Sequence, residues 1–199
     1  MAAITISRQM GSLGSEVARA VATRLGYRLV WRELIDQAGL RAGAPEVALA
    51  TIDELGLLDV KLSALACRAY RQAMHQVVLE LAAEGNAVLV GRACQVLLRD
   101  RPDVLHVRLI APAALRAERV AQRHGIPLAA ARAQVEASDR YRSHYLRRFY
   151  RVDWNDPALY DLVINTGRIA SAAAADLVCQ AALACLPPGE PAATSRSQP

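Results

Sequence analysis

Apolar runs without polar alternation are the feature that most constrains how this chain folds. Ala87 to Val90 and Val104 to Ile110 are such runs, and each is followed by a segment with helical periodicity. Runs of this kind are typical of strands in a parallel sheet that is covered on both faces. Ala3 to Ser7, Tyr27 to Trp31 and Leu162 to Asn165 are three further strand-like segments. The alternation of strands and helices predicts an α/β fold with right-handed crossovers.

Helical periodicity between these strands predicts the layers that cover the sheet. The predicted helices are Glu16 to Leu25, Arg32 to Leu40, Leu62 to Glu84, Ala113 to His124, Leu128 to Tyr150 and Ala170 to Leu186. Residues 42–61 show no readable pattern. The tail 187–199 is made of small residues and prolines with little to bury, so we expect it to be disordered. A chain of 199 residues fits one domain, which we assign to residues 1–186.

The positive charge of the chain is carried almost entirely by arginine. The formal net charge is +5, and Lys61 is the only lysine among 24 basic residues. Guanidinium groups suit bidentate contacts with phosphate or carboxylate. A compositional bias of the genome explains the arginine excess equally well, so composition alone identifies no ligand.

Cysteine usage and hydropathy favour a cytoplasmic protein. Cys67, Cys94, Cys179 and Cys185 are widely spaced and form no C-x-x-C pair, which is typical of reduced thiols. No stretch approaches the roughly 18 apolar residues of a membrane span, and no export signal is recognisable. We therefore expect no membrane partner.

A loop with two glycines connects the first strand to the first helix. Its residues are Arg8, Gln9, Met10, Gly11, Ser12, Leu13, Gly14 and Ser15. A loop in this place directs backbone amides and a helix N-terminus at a phosphate. Ser15 is placed to cap the helix or to contact a hydrated magnesium ion. The pattern G-x-x-x-x-G-K-[ST] is not satisfied, because Gly14 stands at the lysine position. Arg8 is the nearest substitute cation, and a plain connecting turn is the alternative.

Three further groups of charged residues follow along the chain. Arg92 comes directly after a buried strand, at the sheet edge where such folds bind ligands. A basic series at helical spacing consists of Arg116, Arg119 and Arg123. Asp139 and Arg142 are three residues apart, so they either pair on a helix or bind a ligand together. Solvated side chains and surface ion pairs are the alternative interpretation of each group.

Five segments of the chain form an ordered set. They are ITISRQMGSLGSEVA, LGYRLVWRELI, AVLVGRACQVLLRDRPDVLHVRLIAPAALRAERV, SDRYRSHY and DWNDPALYDLVINT. This set resembles the cytidylate kinase-like family of P-loop phosphotransferases over nearly the whole chain from Ile4 to Thr166. The resemblance implies a P-loop kinase fold: a five-stranded parallel sheet flanked by helices, with a helical lid at about residues 113–150.

The resemblance also implies a site and a reaction. The loop from Arg8 to Ser15 would hold the triphosphate of ATP, with Mg²⁺ near Ser15. The acceptor would be a nucleoside monophosphate such as CMP or dCMP, or another small molecule, and its binding residues would be Arg32, Arg92, Asp139 and Arg142. Charge for the transfer would come from Arg8, Arg116, Arg119 and Arg123, the last three at the start of the lid. The chain departs from the family where the loop lysine is absent and where Ala93 replaces the acid of a Gly-Arg-Asp motif.

The sequence leaves three functions to compare. An ATP-dependent kinase is favoured by the order of the motifs. A nucleotide-binding sensor or pseudokinase without turnover is favoured by the missing lysine. A nucleic-acid-binding protein is suggested by the pI of about 9.3. Only 5% of residues are aromatic and none alternate with basic residues in a sheet pattern, so this third function is the least favoured.

Overall fold

The computed structural model describes residues 3–31, 37, 38, 40, 41, 43 and 64–185. The predictions for Arg32, for most of residues 42–61 and for the tail 187–199 lie outside the described residues.

Five strands form one parallel sheet. The strands are β1 (Ala3–Arg8), β2 (Arg28–Val30), β3 (Ala87–Val90), β4 (Val104–Ile110) and β5 (Leu162–Asn165). Their order in space is β2-β3-β1-β4-β5. Ile6 of β1 is in register with Val90 of β3 on one side and with Val107 of β4 on the other. The predicted parallel α/β sheet is confirmed. The strand order changes direction at β1, so ligands are expected above its carboxyl end.

Six helices of the described ranges accompany this sheet. They are α1 (Gly14–Leu25), α2 (Ala64–Glu84), α3 (Cys94–Leu97), α4 (Ala113–His124), α5 (Leu128–Tyr150) and α6 (Ser171–Cys185), and a 3-10 turn covers Pro157–Leu159. The bounds of α4 and α5 agree with the predicted segments, whereas α1 begins two residues earlier than predicted. Gly26 ends α1 with a φ of 66°, a left-handed conformation that glycine adopts without strain.

Helices cover both faces of the sheet. This agrees with strands whose apolar residues do not alternate with polar ones. On one face Ile4, Ile6 and Leu109 pack against apolar residues of α1 and α6, such as Val21 and Val178. On the other face the core consists of Ala3, Leu89, Val104 and the α2 residues Met74, Val77 and Leu81. Burying large aliphatic side chains stabilises the fold by about 1.5–3 kcal/mol each.

Two smaller clusters include residues that follow the carboxyl ends of β1 and β3. Val120 of α4 packs with Ala131 and Val135 of α5, and the partly buried Met10 of the glycine loop lies against them. A second cluster is rich in aromatic residues from the end of α5 onward, and its buried members are Ala93, Val96, Leu146, Trp154 and Tyr160. The helical pair α4–α5 is thereby packed against the loop that precedes α1.

Two cysteines have described side chains, and both are free thiols. Cys94 is buried and Cys179 is partly buried. Within the described ranges, no helix combines the length and the apolarity that crossing a bilayer requires.

Candidate functional site

The loop between β1 and α1 has a tightly constrained backbone. Gly11 has a φ of 78°, and a Cβ atom there would lie 2.6 Å from the carbonyl oxygen of Arg116. Leu13 adopts a left-handed φ of 58° and precedes the first residue of α1. A non-glycine residue in this conformation costs about 1–2 kcal/mol. The loop therefore has a fixed shape that other contacts must stabilise.

Those contacts are made to the carbonyl oxygens of the loop. Arg116 Nη1 donates to the carbonyl of Met10 at 3.3 Å, and Arg119 Nη1 donates to the carbonyl of Gly11 at 3.3 Å. The hydroxyl of Thr166 donates to the carbonyl of Ser12 at 2.8 Å. Side chains from α4 and from the residue after β5 thus hold three successive carbonyls of the loop.

The amides of the same loop are left available. Within the described residues, no acceptor is placed for the N–H groups of Met10, Gly11, Leu13, Gly14 and Ser15. The last two belong to the first turn of α1, where the helix dipole adds positive potential. A set of unpaired amides at a helix N-terminus is an anion-binding arrangement. The loop can therefore bind a phosphate chain through its backbone.

The prediction that Ser15 caps α1 is wrong. Leu13 is the N-cap residue, and no side chain makes a capping hydrogen bond there. Ser15 lies inside the first helical turn because the helix starts at Gly14. Ser15 is partly exposed, and its own amide is one of those without an acceptor in the described residues.

Arg8 occupies the space that a residue at the lysine position would need. A Cβ atom on Gly14 would lie 2.5 Å from the Cβ of Arg8. The Arg8 guanidinium continues toward β3 and β2, where Nη1 lies 2.6 Å from the Cβ position of Gly91. It also lies 4.7 Å from the centre of the Trp31 ring, and the residue is only 6% exposed. Because Gly14 and Gly91 have no side chains, the Arg8 side chain has room to extend along the edge of the sheet.

Arg116 makes a buried ion pair that the sequence spacing does not reveal. Its Nη2 lies 2.7 Å from Asp139 Oδ2 and its Nη1 lies 3.2 Å from Oδ1, so the pair is bidentate. Nε donates to the carbonyl of Ala111 at 2.9 Å. Of the two alternatives for Asp139 and Arg142, the helical pair is therefore wrong, and their joint contact with the acceptor stays a prediction. Arg142 instead donates to the Ser138 hydroxyl at 2.6 Å.

The other two arginines of α4 differ from Arg116 in exposure. Arg119 is partly buried and donates to the carbonyl of Thr166 at 2.9 Å as well as to the loop. Arg123 is exposed and forms an ion pair with Glu16 in the first turn of α1. Thr166 was not among the predicted site residues. Its position directly after β5, at the carboxyl edge of the sheet, was the available signal.

Arg92 lies in a second constrained turn, after β3. Arg92 and Ala93 have successive φ values of 55° and 57°, and α3 begins after Ala93 without a side-chain cap. Arg92 Nη2 is buried and has no hydrogen-bond partner within the described residues. Cys94 follows, and burial raises the pKa of its thiol to about 12 although the charge of Arg92 acts to lower it. Cys94 is consequently no thiolate nucleophile at neutral pH.

A buried arginine of β4 organises the aromatic cluster, and sequence reasoning missed it. Arg108 is 4% exposed, and its guanidinium lies 4.4 Å from the centre of the Trp154 ring. It donates to Asn155 Oδ1 at 2.7 Å and to the Tyr160 hydroxyl at 3.2 Å. Trp154 Nε1 donates to Ser7 Oγ at 3.0 Å, which connects the cluster to the end of β1. An arginine inside an apolar strand was the overlooked signal.

Acidic metal ligands are not clustered at this site. In the described part of the chain, no group of three His, Cys, Asp or Glu side chains is placed to hold a metal ion. Magnesium in phosphate-binding proteins commonly keeps several waters and binds through phosphates with one or two protein ligands. Ser15, a partly exposed residue with a hydroxyl in the first turn of α1, fits that mode.

Comparison with known sequences identifies relatives over most of the chain. A sequence model of the cytidylate kinase-like family matches residues 3–168. The cytidylate kinase of Halobacterium salinarum is 30% identical over 181 residues, which cover 89% of this chain and 88% of that protein. The cytidylate kinase of Pyrococcus furiosus is 32% identical over 166 residues, covering 83% and 80%.

Comparison with solved structures supports the same fold. An uncharacterised protein from Eubacterium ventriosum has a TM-score of 0.70 at 22% identity and covers 90% of this chain and 97% of its own. Shikimate kinase from Acinetobacter baumannii has a TM-score of 0.54 at 17% identity, with 92% and 94% covered. At these identities the likeness concerns the fold alone, which is a P-loop kinase fold.

Proposed function

The chain belongs to the cytidylate kinase-like family, and from that premise we propose that it transfers a phosphoryl group from ATP to a nucleoside monophosphate such as CMP or dCMP. A kinase-like phosphotransferase is what the family establishes. The donor, the acceptor and the role of each residue are the proposed parts.

One observation supports the proposal: Arg116, Arg119 and Thr166 bind three carbonyls of the loop, while five of its amides have no acceptor in the described part of the chain. Phosphoryl transfer needs positioning and charge neutralisation more than covalent chemistry. The amides of Met10, Gly11, Leu13, Gly14 and Ser15 would bind the donor phosphates. Mg²⁺ bound with ATP would neutralise phosphate charge. We assign to the hydroxyl of Ser15 the role of a ligand to this Mg²⁺. Arg116 and Arg119 would act as positioning residues that keep the loop in its binding shape.

Arg8 connects the donor side of the proposed site to the acceptor side. Its side chain starts at the last residue of β1, and its guanidinium reaches Gly91, next to Arg92 in the sequence. A cation in this place can neutralise charge that is shared between donor and acceptor phosphates. We assign to Arg8 the electrostatic role of the absent lysine, and to Arg92 a contact with the acceptor.

A coupled assay of ADP release tests this function. The purified protein is given ATP, Mg²⁺ and one nucleoside monophosphate at a time, including CMP, dCMP, UMP and AMP. We expect turnover with at least one of them. Arg8→Ala should lower kcat by about a hundredfold or more, as does the loss of one preorganised donor elsewhere. Arg92→Ala should mainly raise the KM for the acceptor.

The second candidate function is a nucleotide sensor without turnover. The observation in its favour is Gly14 at the lysine position. Calorimetry separates the two functions: a sensor binds ATP with Mg²⁺ but releases no ADP above background with any acceptor. No ATP binding at millimolar concentration would refute both.

A further inference from the structure

Both tryptophans of the chain contact the end of β1. Trp154 Nε1 donates to Ser7 Oγ at 3.0 Å, and the ring centre of Trp31 lies 4.7 Å from the guanidinium carbon of Arg8. Ser7 and Arg8 are the last two residues of β1. Trp154 thus contacts a hydroxyl, whereas Trp31 contacts the cation to which we assign the role of the absent lysine.

The ring of Trp31 is fixed by the core against which it packs. Trp31 comes directly after β2, at the carboxyl edge of the sheet. It is partly buried and packs against the core cluster to which Ile6, Val17 and Val90 belong. A close-packed core restricts the rotation of a side chain that rests on it. The indole therefore offers Arg8 a contact surface with a fixed position.

The side chain of Arg8 extends past two glycines to this ring. A Cβ atom on Gly14 would lie 2.5 Å from the Cβ of Arg8, and one on Gly91 would lie 2.6 Å from its Nη1. The missing side chains give Arg8 room. Room alone does not select one conformation of a side chain with several rotatable bonds, because ordering those bonds costs entropy. The contact with Trp31 favours one conformation, since the face of an aromatic ring attracts a guanidinium.

Burial strengthens the attraction between Arg8 and Trp31. Arg8 is only 6% exposed, and a cation–π contact is stronger where the cation is desolvated than at an exposed site. A guanidinium that lies over a ring uses its face for that contact, while its N–H groups point outward in its own plane. Trp31 can therefore fix the position of the cation without competing with a phosphate for its hydrogen bonds.

We propose that Trp31 is a positioning residue that holds the guanidinium of Arg8 at the carboxyl edge of the sheet, where the transferred charge is neutralised. This inference rests on the proposed function, because it takes Arg8 to be the cation that replaces the motif lysine. Trp31 acts through Arg8 and needs no contact of its own with either nucleotide.

Removing the ring while keeping an apolar side chain is the test. Trp31→Leu retains apolar packing against the core and removes the aromatic face. We expect kcat to fall by about tenfold, the factor that corresponds to a desolvated cation–π contact. Tyr27→Leu is the matched control. Tyr27 is also partly buried against the same core cluster, but it precedes β2 and lies at the opposite end of that strand from Trp31. This control should leave kcat unchanged.

A double-mutant cycle shows whether Trp31 acts through Arg8. In the Arg8→Ala background, Trp31→Leu should cause no further loss of kcat, because the side chain that it positions is gone. A residue that only stabilised the fold would lower kcat by the same factor in both backgrounds. If the losses are equal with and without Arg8, or if Trp31→Leu keeps the wild-type kcat, the inference is wrong.

Trp31→Phe keeps the test valid if Trp31→Leu fails to fold. Phenylalanine retains an aromatic face, although its attraction for a cation is weaker than that of indole. The kcat of Trp31→Phe should therefore lie between those of wild type and Trp31→Leu, and its loss should also vanish in the Arg8→Ala background. Leucine and phenylalanine both fill apolar space. A kcat that is as low in Trp31→Phe as in Trp31→Leu would therefore contradict the positioning role.

Calorimetry with ATP and Mg²⁺ separates this inference from the proposed function, because it needs no turnover. Trp31→Leu should raise the Kd for ATP severalfold when Arg8 is present and should leave it unchanged in the Arg8→Ala background. If this pattern is found without turnover of any monophosphate, the role of Trp31 stands and the proposed function fails. If turnover occurs while Trp31→Leu has the same effect on kcat and Kd with and without Arg8, the function stands and the role of Trp31 fails.

Discussion

Arg116→Ala is the substitution that best tests the interpretation of the loop. Arg116 is 3% exposed and donates to the carboxylate of Asp139, to the carbonyl of Met10 and to the carbonyl of Ala111. It therefore connects α5, the glycine loop and the residue after β4. Alanine removes all of these contacts together.

The expected loss in the free energy of unfolding depends on how deeply the Asp139 carboxylate stays buried without its partner. Removing one partner of a buried ion pair costs about 3–5 kcal/mol, because the other charge is left uncompensated. The Asp139 side chain keeps 28% of its exposure and can be hydrated, so the lower end applies. We expect a loss of about 3 kcal/mol in the free energy of unfolding, and for a chain of this size a drop in Tm of about 6–12 °C.

Denaturant unfolding, calorimetry and a double-mutant cycle measure this effect. The coupling energy between Arg116→Ala and Asp139→Ala should exceed about 1 kcal/mol, because the two side chains are in contact. The affinity for ATP should fall as well, since the Met10 carbonyl loses its donor. Arg123→Ala is the control on the same helix. Its ion pair with Glu16 is solvent-exposed, so a change within about 0.5 kcal/mol is expected.

A different outcome would show that Arg116 acts on the substrate. If Arg116→Ala keeps the wild-type Tm and the wild-type ATP affinity but loses kcat, the side chain contacts the transferred phosphoryl group. The positioning role argued from its hydrogen bonds would then be wrong. The role suggested by its place in the predicted lid would take precedence.

Three further predictions concern residues in and beneath the loop. Gly14→Lys, which restores the motif lysine, should lower both stability and kcat, because its Cβ would lie 2.5 Å from that of Arg8; melting curves and ADP release measure this. Leu13→Gly should raise the free energy of unfolding by about 0.5 kcal/mol through relief of the left-handed φ, measured by denaturant unfolding. Burial lowers the pKa of His106 below the usual 6.5, so the unfolded chain binds the proton more readily. The contribution of His106 to the free energy of unfolding should be constant above about pH 7 and should fall as the pH drops through 6.5. Denaturant unfolding at several pH values measures this slope, and His106→Asn should remove it.

The sheet was predictable because its signal is local. The apolar runs Ala87 to Val90 and Val104 to Ile110 are strands over the same residues in the structure. A strand covered on both faces needs apolar side chains at every position, so its limits are visible in the sequence. The start of α1 was misjudged because the first turn consists of a glycine and a serine, which carry no apolar period.

The partners of the charged residues were not predictable in the same way. Spacing reveals pairs within one helix, and it suggested Asp139 with Arg142. The actual partner of Asp139 is Arg116, 23 residues away on another helix. Arg108 was counted as part of an apolar strand, and only the fold brings it under Trp154. Ion pairs between residues far apart in the sequence depend on how the helices pack against each other. A single sequence does not reveal that packing.

The side chain of Arg8 explains why glycine stands at position 14, where the motif has a lysine. A side chain at position 14 and the side chain of Arg8 need the same space, so the chain can hold a cation at one of these two positions only. Glycine at position 14 is therefore the condition for a buried Arg8 and does not by itself indicate a lost function. The cation is attached to the strand instead of the helix, and its charge is displaced toward Gly91 and the acceptor side. A kinase built in this way should depend on Arg8 for the use of both substrates, whereas a motif lysine serves the donor phosphates alone.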